Sequence, residues 1–244
     1  YLGLEAGKGT STISNNVGSK NIAIGCQAGQ CIDDGNNNIA IGPAAAGLGV
    51  LEGNSNIFLG VEAGKHVTGA ACGIYIGGAA GSCRGSGLYN VAIGNAALLG
   101  SSTVSSNTGS NNVAIGCAAG TANTSGATNV FVGQKAGQCN TSGDSNVFLG
   151  KYAGCSSTTS GCSIFIGQGA GENSNASFNI FLGKSAGYDN TSGCQNIMMG
   201  CCAGANATTG CCNVFIGPRA ASAAAVTGSK NIAMGWRAGD ELTS

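Results

Sequence analysis

The stretch Asn146-Val147-Phe148-Leu149-Gly150-Lys151-Tyr152-Ala153-Gly154 recurs along the whole chain and decides its fold. An apolar run closes with a glycine, and fourteen such glycines follow one another at a nearly constant interval of about 17 residues. A fixed period of this kind is typical of a solenoid, in which each repeat contacts mainly its neighbours. The sequence therefore predicts an all-β parallel solenoid of about 14 coils. It predicts a single tandem array over residues 1–244, which we expect to be an excerpt of a longer one.

Each repeat, numbered from its closing glycine, has the same layout. Asparagine stands four residues before the glycine in eleven of thirteen repeats, and a β-branched residue stands three before it in all thirteen. Alanine follows three residues after the glycine in every repeat, as suits a place where the two walls of the coil approach too closely for a larger side chain. A short apolar run between Asn and Gly is typical of a strand. We predict two short strands and two turns per coil, positive-φ glycines at the corners, and a ladder of stacked asparagine side chains.

Two intervals between closing glycines, Gly3–Gly25 and Gly94–Gly116, are five residues longer than the 17-residue period and break the regular spacing. Because the strand columns resume unshifted after each of them, we expect loops that leave the turn side of the coil. No helix longer than one turn is expected anywhere in the chain.

The charge pattern excludes several functions. Ten Lys and Arg residues balance ten Asp and Glu residues, and no basic patch appears, so we expect no nucleic-acid partner. No apolar run approaches the roughly 20 residues of a membrane-spanning helix. The single histidine, His66, lies in a predicted turn, and Glu5 and Glu62 lie several coils apart. No nucleophile, base and orienting group can be placed together, so we predict a protein that is not an enzyme and has no cofactor or metal.

The predicted strand is apolar on both faces. Residues three and one before the glycine point one way, and the residue between them points the other way. One row can fill so thin a coil, and the other must face outward. We assign the outward position to the middle row, since a strand that is apolar on both faces is covered on both faces. An oligomer interface with copies of the same chain is therefore predicted at Phe131, Phe148, Phe165, Phe181, Met198 and Phe215.

The phrase Asn21-Ile22-Ala23-Ile24-Gly25 and its copy Asn112-Val113-Ala114-Ile115-Gly116 resemble the repeats of trimeric autotransporter adhesin heads. They are equally similar to repeats of phage and bacteroidete tail-fibre-like proteins, in which turns such as Asn140-Thr141-Ser142-Gly143 are common. The resemblance covers essentially the whole chain. It implies a left-handed β-roll, three chains around a threefold axis, and an extracellular location on a cell or virion surface.

Thirteen cysteines lie in the turn columns and none lies in a strand column. Residues one period apart stack about 4.8 Å apart, inside the roughly 4.4–6.8 Å range of Cα separations in disulfides. We predict Cys139–Cys155 and Cys194–Cys211 as pairs, with Cys155–Cys162 as a rival pair, in an oxidising setting. Unpaired thiols and a zinc site are the alternatives, although the spacing of the adjacent cysteines is unusual for zinc.

Five Asn-x-Ser/Thr sequons also lie in the polar turns, where a glycan could be accommodated. The same residues are ordinary turn formers, and that alternative stays open. The possible N-glycosylation sites are Asn123, Asn140, Asn175, Asn190 and Asn206.

These observations favour a structural and interaction protein, a homotrimeric rod in an extracellular adhesin or viral tail fibre that holds a binding tip away from its anchor. A host receptor or glycan would be bound through regions outside this chain. The alternative is a repeat of an extracellular filament built from monomeric or end-stacked solenoids. An ice- or glycan-binding solenoid would need a flat, regular outward array, commonly of threonine, and the turn columns vary too much for that.

Overall fold

The computed structural model describes residues 1–9 and 18–243. Two compact units, Tyr1–Thr128 and Asn129–Ser244, make up the chain. The strands of the first unit are β1 (Ile22–Ile24), β2 (Ile39–Ile41), β3 (Ile57–Leu59), β4 (Ile74–Ile76), β5 (Val91–Ile93) and β6 (Val113–Ile115). Those of the second unit are β7 (Val130–Val132), β8 (Val147–Leu149), β9 (Ile164–Ile166), β10 (Ile180–Leu182), β11 (Ile197–Met199), β12 (Val214–Ile216) and β13 (Ile232–Met234).

Within each unit, consecutive strands pair in parallel and in phase. In the first unit Ile22 pairs with Ile39, and in the second unit Val147 pairs with Ile164. The first copy of the repeat pairs with β1 through an isolated parallel bridge between Leu2 and Ile24. The same column of the repeat therefore stacks on itself, coil after coil. The predicted parallel β-solenoid, with a period of about 17 residues, is confirmed.

The prediction of two strands per coil is wrong, because the described part of each coil carries a single three-residue strand followed by turns. Positive-φ corners explain the difference. The closing Gly150 has φ +134°, and a Cβ there would lie 2.6 Å from the carbonyl oxygen of Gly167 in the next coil, so only glycine fits. Two further corners use ordinary residues in the left-handed conformation, such as Ser145 (φ 60°) and Tyr152 (φ 62°). So many corners leave no extended run for a second strand.

The predicted asparagine ladder is present, with a main-chain donor in each rung. The backbone N–H of Asn146 donates to Oδ1 of Asn129 at 2.9 Å, and Nδ2 of Asn146 donates to the carbonyl of Ser160 at 2.6 Å. Asn129 and Asn146 are both fully buried. Because a buried amide must find partners for its donor and acceptor groups, this ladder fixes the spacing between coils.

The core contradicts the predicted orientation of the strand faces. The middle residues of the strands point inward, and in the second unit this inner row is 0% exposed at Phe131, Phe148, Phe165, Phe181, Met198 and Phe215. Ring centroids of Phe148 and Phe165 lie 4.7 Å apart, and those of Phe165 and Phe181 lie 4.8 Å apart, in stacked geometry. The prediction that these six residues form an oligomer interface is therefore wrong. They are the hydrophobic core of their own coils.

Small residues around the rings explain why they fit inside so thin a coil. The alanine column is fully buried from Ala28 to Ala220, whereas Ala6 and Ala238 at its two ends are half-buried, and this confirms the expected close approach of the coil walls. In the coils of β7–β10, the glycine that follows the alanine lies against the ring of the same coil. A Cβ on Gly171, which has φ +56°, would come within 2.7 Å of the ring of Phe165. The space of that missing side chain is filled by the aromatic ring.

The longer repeat between Gly94 and Gly116 forms a loop, as predicted. It contains one turn of 3₁₀-helix at Val104–Ser106, in which no residue is buried. Val91 of β5 still pairs with Val113 of β6, so the register resumes unshifted. Part of the other long repeat, residues 10–17, lies outside the described residues. In the part of the chain that the structure covers, no helix is long and apolar enough to cross a membrane.

Candidate functional site

The broadest candidate surface is the side of each sheet that points away from the core, here called the outward face. In the second unit it consists of the first and third residues of β7–β13, which are all aliphatic or methionine. The exposed fraction is 37% for Ile164 and 38% for Ile166, and it reaches 74% for Ile232. Neighbours in the same column shield one another at the strand spacing of about 4.8 Å. No polar side chain interrupts these columns.

The first unit has an outward face of the same kind on β1–β6. Ile22 is 49% exposed and Leu59 is 41% exposed, while the flanking residues of β2, β4 and β5 are half-buried. The prediction that these two columns lie inside the coil is wrong. The middle residue of each strand already fills the interior of so thin a coil, and the residues on either side of it must then face outward.

Aromatic and basic residues lie within about three residues of the strand ends in the second unit. Phe178 is 59% exposed and Trp236 is 72% exposed. The ammonium groups of Lys135 and Lys151 lie 5.6 and 5.0 Å from the ring centroid of Tyr152. An apolar centre with a polar rim is the usual anatomy of a protein–protein interface, and aromatic residues are enriched in such interfaces.

The first of the predicted disulfides, Cys139–Cys155, is out of register. The backbone N–H of Cys139 donates to the carbonyl of Cys155, and the thiol of Cys155 hydrogen-bonds to Oε1 of Gln138 at 3.5 Å. Gln138, and not Cys139, is therefore the residue stacked on Cys155. Cys139 stands six residues after its closing glycine and Cys155 stands five after its own, so the pair falls one residue short of a full period. Burial, with the nearby Cys139 and Glu172 adding to it, raises the pKa of the Cys155 thiol to about 11.

The second predicted pair, Cys194–Cys211, is in register. Both residues stand six before their closing glycine, and their Sγ atoms lie 2.8 Å apart, with the backbone N–H of Cys194 directed at Sγ of Cys211 at 3.1 Å. The pKa of the Cys194 thiol is raised, first by its hydrogen bond with Cys211 and then by burial. All thirteen cysteines carry free thiols in the structure, Cys162 among them.

Three of the five sequon asparagines cannot carry a glycan in the folded chain. Asn123, Asn140 and Asn190 are fully buried. Oδ1 of Asn140 accepts from the backbone N–H of Gly143, and its Nδ2 donates to the carbonyl of the same residue. The expectation that all five turns could accommodate a glycan is therefore wrong at these positions.

The other two sequon asparagines, Asn175 and Asn206, are exposed. Oδ1 of Asn175 accepts hydrogen bonds from the backbone N–H groups of Thr158 and Thr159, and Nδ2 of Asn206 donates to the carbonyl of Ser222. Both side chains lie at the surface, so glycosylation at these two sites stays a prediction.

A buried polar cluster in the first unit was not predicted. Arg84 is 0% exposed, and its guanidinium donates to the carbonyls of Gly109 (2.5 Å) and Asn123 (3.0 Å). It lies near Tyr75, which is also fully buried. Burial raises the pKa of Tyr75 to about 12, although the charge of Arg84 and the nearby Asn90 side chain act in the opposite direction. Nothing in the local sequence marks Arg84 as buried, since its partners are 25 and 39 residues away.

Ionisable groups do not come together elsewhere in the described chain into an obvious reaction centre. His66 is half-buried in a turn, and Glu62 pairs with Lys65 at 2.7 Å. Burial and the nearby Asp189 raise the pKa of Glu172. Within residues 1–9 and 18–243, no group of three or more His, Cys, Asp or Glu side chains is arranged to hold a metal ion.

Comparisons with protein-family models, with curated proteins and with solved structures each find no match to this chain. The class of protein is therefore defined by the structure itself. It is a repeat protein with a parallel β-solenoid fold and a period of about 17 residues, compatible with β-roll repeats. Membership of the adhesin or tail-fibre families stays a prediction from the resemblance of the repeats.

Proposed function

We propose that this chain is a structural and interaction segment that associates with two copies of itself through the outward face, within an extracellular adhesin or a viral tail fibre. It would hold a binding tip away from its anchor, and regions outside this chain would bind the host receptor or glycan. The observation that carries the proposal is the uninterrupted apolar outward face on every strand of both units.

The size of this face supports a stable association. In the second unit, fourteen apolar side chains at roughly a third exposure present on the order of 700 Å² of apolar surface, close to the ~800 Å² that each partner contributes to a standard interface. A monomer rarely leaves more than a few hundred Å² of contiguous apolar surface in water. The outward face of the first unit adds a further contribution of the same kind.

A second copy of the chain is the partner that best fits the periodicity. Any partner that covers the face must present apolar groups every coil, at about 4.8 Å, and this chain itself does so. Most assemblies of identical chains have closed symmetry, and in a cyclic trimer the outward face of each chain would be covered by the other two chains around the axis. The number three and the extracellular setting come from the resemblance to adhesin heads.

Native mass spectrometry tests the association. Replacing Ile164 and Ile166 with Asp puts two charges into the outward face, and we expect the trimer to dissociate while the β-type circular dichroism is retained. The matched control places Asp at Ser142 and Ser192, which are exposed in turns away from the sheet. That control should remain trimeric.

Three outcomes would overturn the proposal. A monomeric wild-type chain would remove the need for the interface, and an open-ended series of multiples would favour the filament of end-stacked solenoids. A trimer that survives the two aspartates at Ile164 and Ile166 would show that the contacts lie elsewhere.

A further inference from the structure

In the second unit, one pair of cysteines from neighbouring coils has its thiols in direct contact. Cys194 and Cys211 occupy the same column in neighbouring coils, and their Sγ atoms are 2.8 Å apart. A disulfide has an S–S distance of about 2.05 Å, so closure requires the sulfurs to approach by less than an ångström. Stacked parallel residues also have Cα atoms about 4.8 Å apart, within the range found in disulfides.

Two other cysteine pairs lack this geometry. Cys139 and Cys155 are offset by one residue, as described above. Cys201 and Cys202 have Sγ atoms 3.5 Å apart, but they are adjacent in sequence. Consecutive Cα atoms are about 3.8 Å apart, which is below the usual range for a disulfide. The register of the coils therefore favours Cys194 and Cys211 over both.

We propose that Cys194 and Cys211 are a modification site, at which a disulfide links two neighbouring coils of the solenoid. This inference does not depend on the proposed function, because the bond lies within one chain. Both side chains are partly exposed, so a small oxidant can reach them.

The oxidant is a low-molecular-weight disulfide such as oxidised glutathione. The thiolate of one cysteine attacks a sulfur of the oxidant, forms a mixed disulfide and releases one thiol. The thiolate of the second cysteine then attacks the protein sulfur of the mixed disulfide and releases the other thiol. In total, two protein thiols lose two electrons and two protons, and one disulfide of the oxidant becomes two thiols.

The local chemistry predicts how the reaction depends on pH. The hydrogen bond with Cys211 and burial raise the pKa of Cys194, and no cation is among the causes of its shift. Since the thiolate is the attacking form, the rate should rise roughly tenfold per pH unit until the pH exceeds the pKa of the thiol.

Peptide mapping can identify the bond unambiguously. Cyanogen bromide cleaves after Met198 and Met199, and trypsin cleaves after Lys184 and Arg219. The peptide 185–198 then contains Cys194 as its only cysteine, and the peptide 200–219 contains Cys211 together with three other cysteines. After treatment with oxidised glutathione and blocking of the remaining thiols, we expect the two peptides to stay linked until a reductant is added.

Two variants assign the partner within the second peptide. Cys211→Ser should abolish the link, whereas the control Cys212→Ser, on the exposed residue next to it, should leave it intact. Separate peptides in the oxidised wild-type protein would overturn the proposal. A link that persists in Cys211→Ser would overturn it as well, because another cysteine would then be the partner.

Discussion

The burial of Phe165 in the centre of the aromatic stack can be tested by exchanging the residues that fill one coil. In the coil of β5 the inner residue is Ala92, and Leu98 stands in the column that Gly171 occupies in the coil of β9. Leu98 is fully buried and has φ 46°, so a leucine side chain is accepted in the left-handed conformation where the inner residue is small. The double variant Phe165→Ala with Gly171→Leu should therefore reproduce the packing of the β5 coil.

The magnitudes follow from the contacts. Phe165→Ala should cost about 3–5 kcal/mol, as a buried Phe→Ala change usually does, since it leaves a cavity between two stacked rings. Gly171→Leu alone should cost about 1–2 kcal/mol for the left-handed backbone and about 1–3 kcal/mol for overpacking, because its Cβ would lie 2.7 Å from the ring. In the double variant the clash disappears, and burial of the leucine returns about 1.5–3 kcal/mol. The two changes should therefore be non-additive by at least about 2 kcal/mol.

Native-state hydrogen exchange is the appropriate assay, because repeat arrays open locally and do not always unfold in one step. The amide of Gly167, which donates to the carbonyl of Leu149, reports on the stability of this coil. Ser142→Ala, in a turn away from the sheet, is the control and should cost little, since Ser142 is exposed. Additive effects of the two changes, or a larger loss in the control than in Phe165→Ala, would refute the inward orientation of the ring.

Three further predictions concern other parts of the chain. The pKa of Tyr75 is about 12 in the folded chain and its ordinary value is 10, so the contribution of the neutral Tyr75 to stability is present below pH 10 and is lost as the pH rises towards 12. Tyr75→Phe should therefore not show this loss of stability in alkaline unfolding, and a pH profile identical to that of the wild-type protein would contradict the prediction. Phe178 is exposed and has φ 63°, so Phe178→Gly should raise the free energy of unfolding in urea titrations by up to about 1 kcal/mol. Gly150→Ala should lower it by roughly several kcal/mol, and the opposite order would contradict the assignment of these two residues to positive-φ corners. On secretion from a eukaryotic host, mass spectrometry of the folded protein should find glycans at Asn175 and Asn206 only, and a glycan on a buried sequon would contradict the burial.

The sequence by itself determined the class of fold. A constant period fixes which residues stack, because parallel strands that repeat in phase place identical columns on top of one another. The asparagine ladder, the buried alanine column and the loop between Gly94 and Gly116 followed from that period and are present. The number of strands per coil did not follow, since non-glycine residues such as Tyr152 also adopt the left-handed conformation that ends a strand.

The tertiary structure alone decided which apolar row lies inside the coil. Both rows of the strand are apolar, so alternation cannot tell the core from the surface. The side chains across the coil decide it. Glycine stands beside Phe148 and Phe165 where a ring needs room, and Leu98 fills that place beside the small Ala92. Such complementarity couples residues six positions apart and becomes readable once the coil is closed.

The candidate disulfides show the same limit at closer range. Spacing along the chain suggested both Cys139–Cys155 and Cys194–Cys211, because each is close to one period. The two pairs differ by one residue of offset. Cys139 is one residue out of register with Cys155 and does not stack on it, whereas Cys194 and Cys211 are in register and their thiols are in contact. The period determines which coils are neighbours, whereas the positions of turn residues within each coil decide which side chains meet.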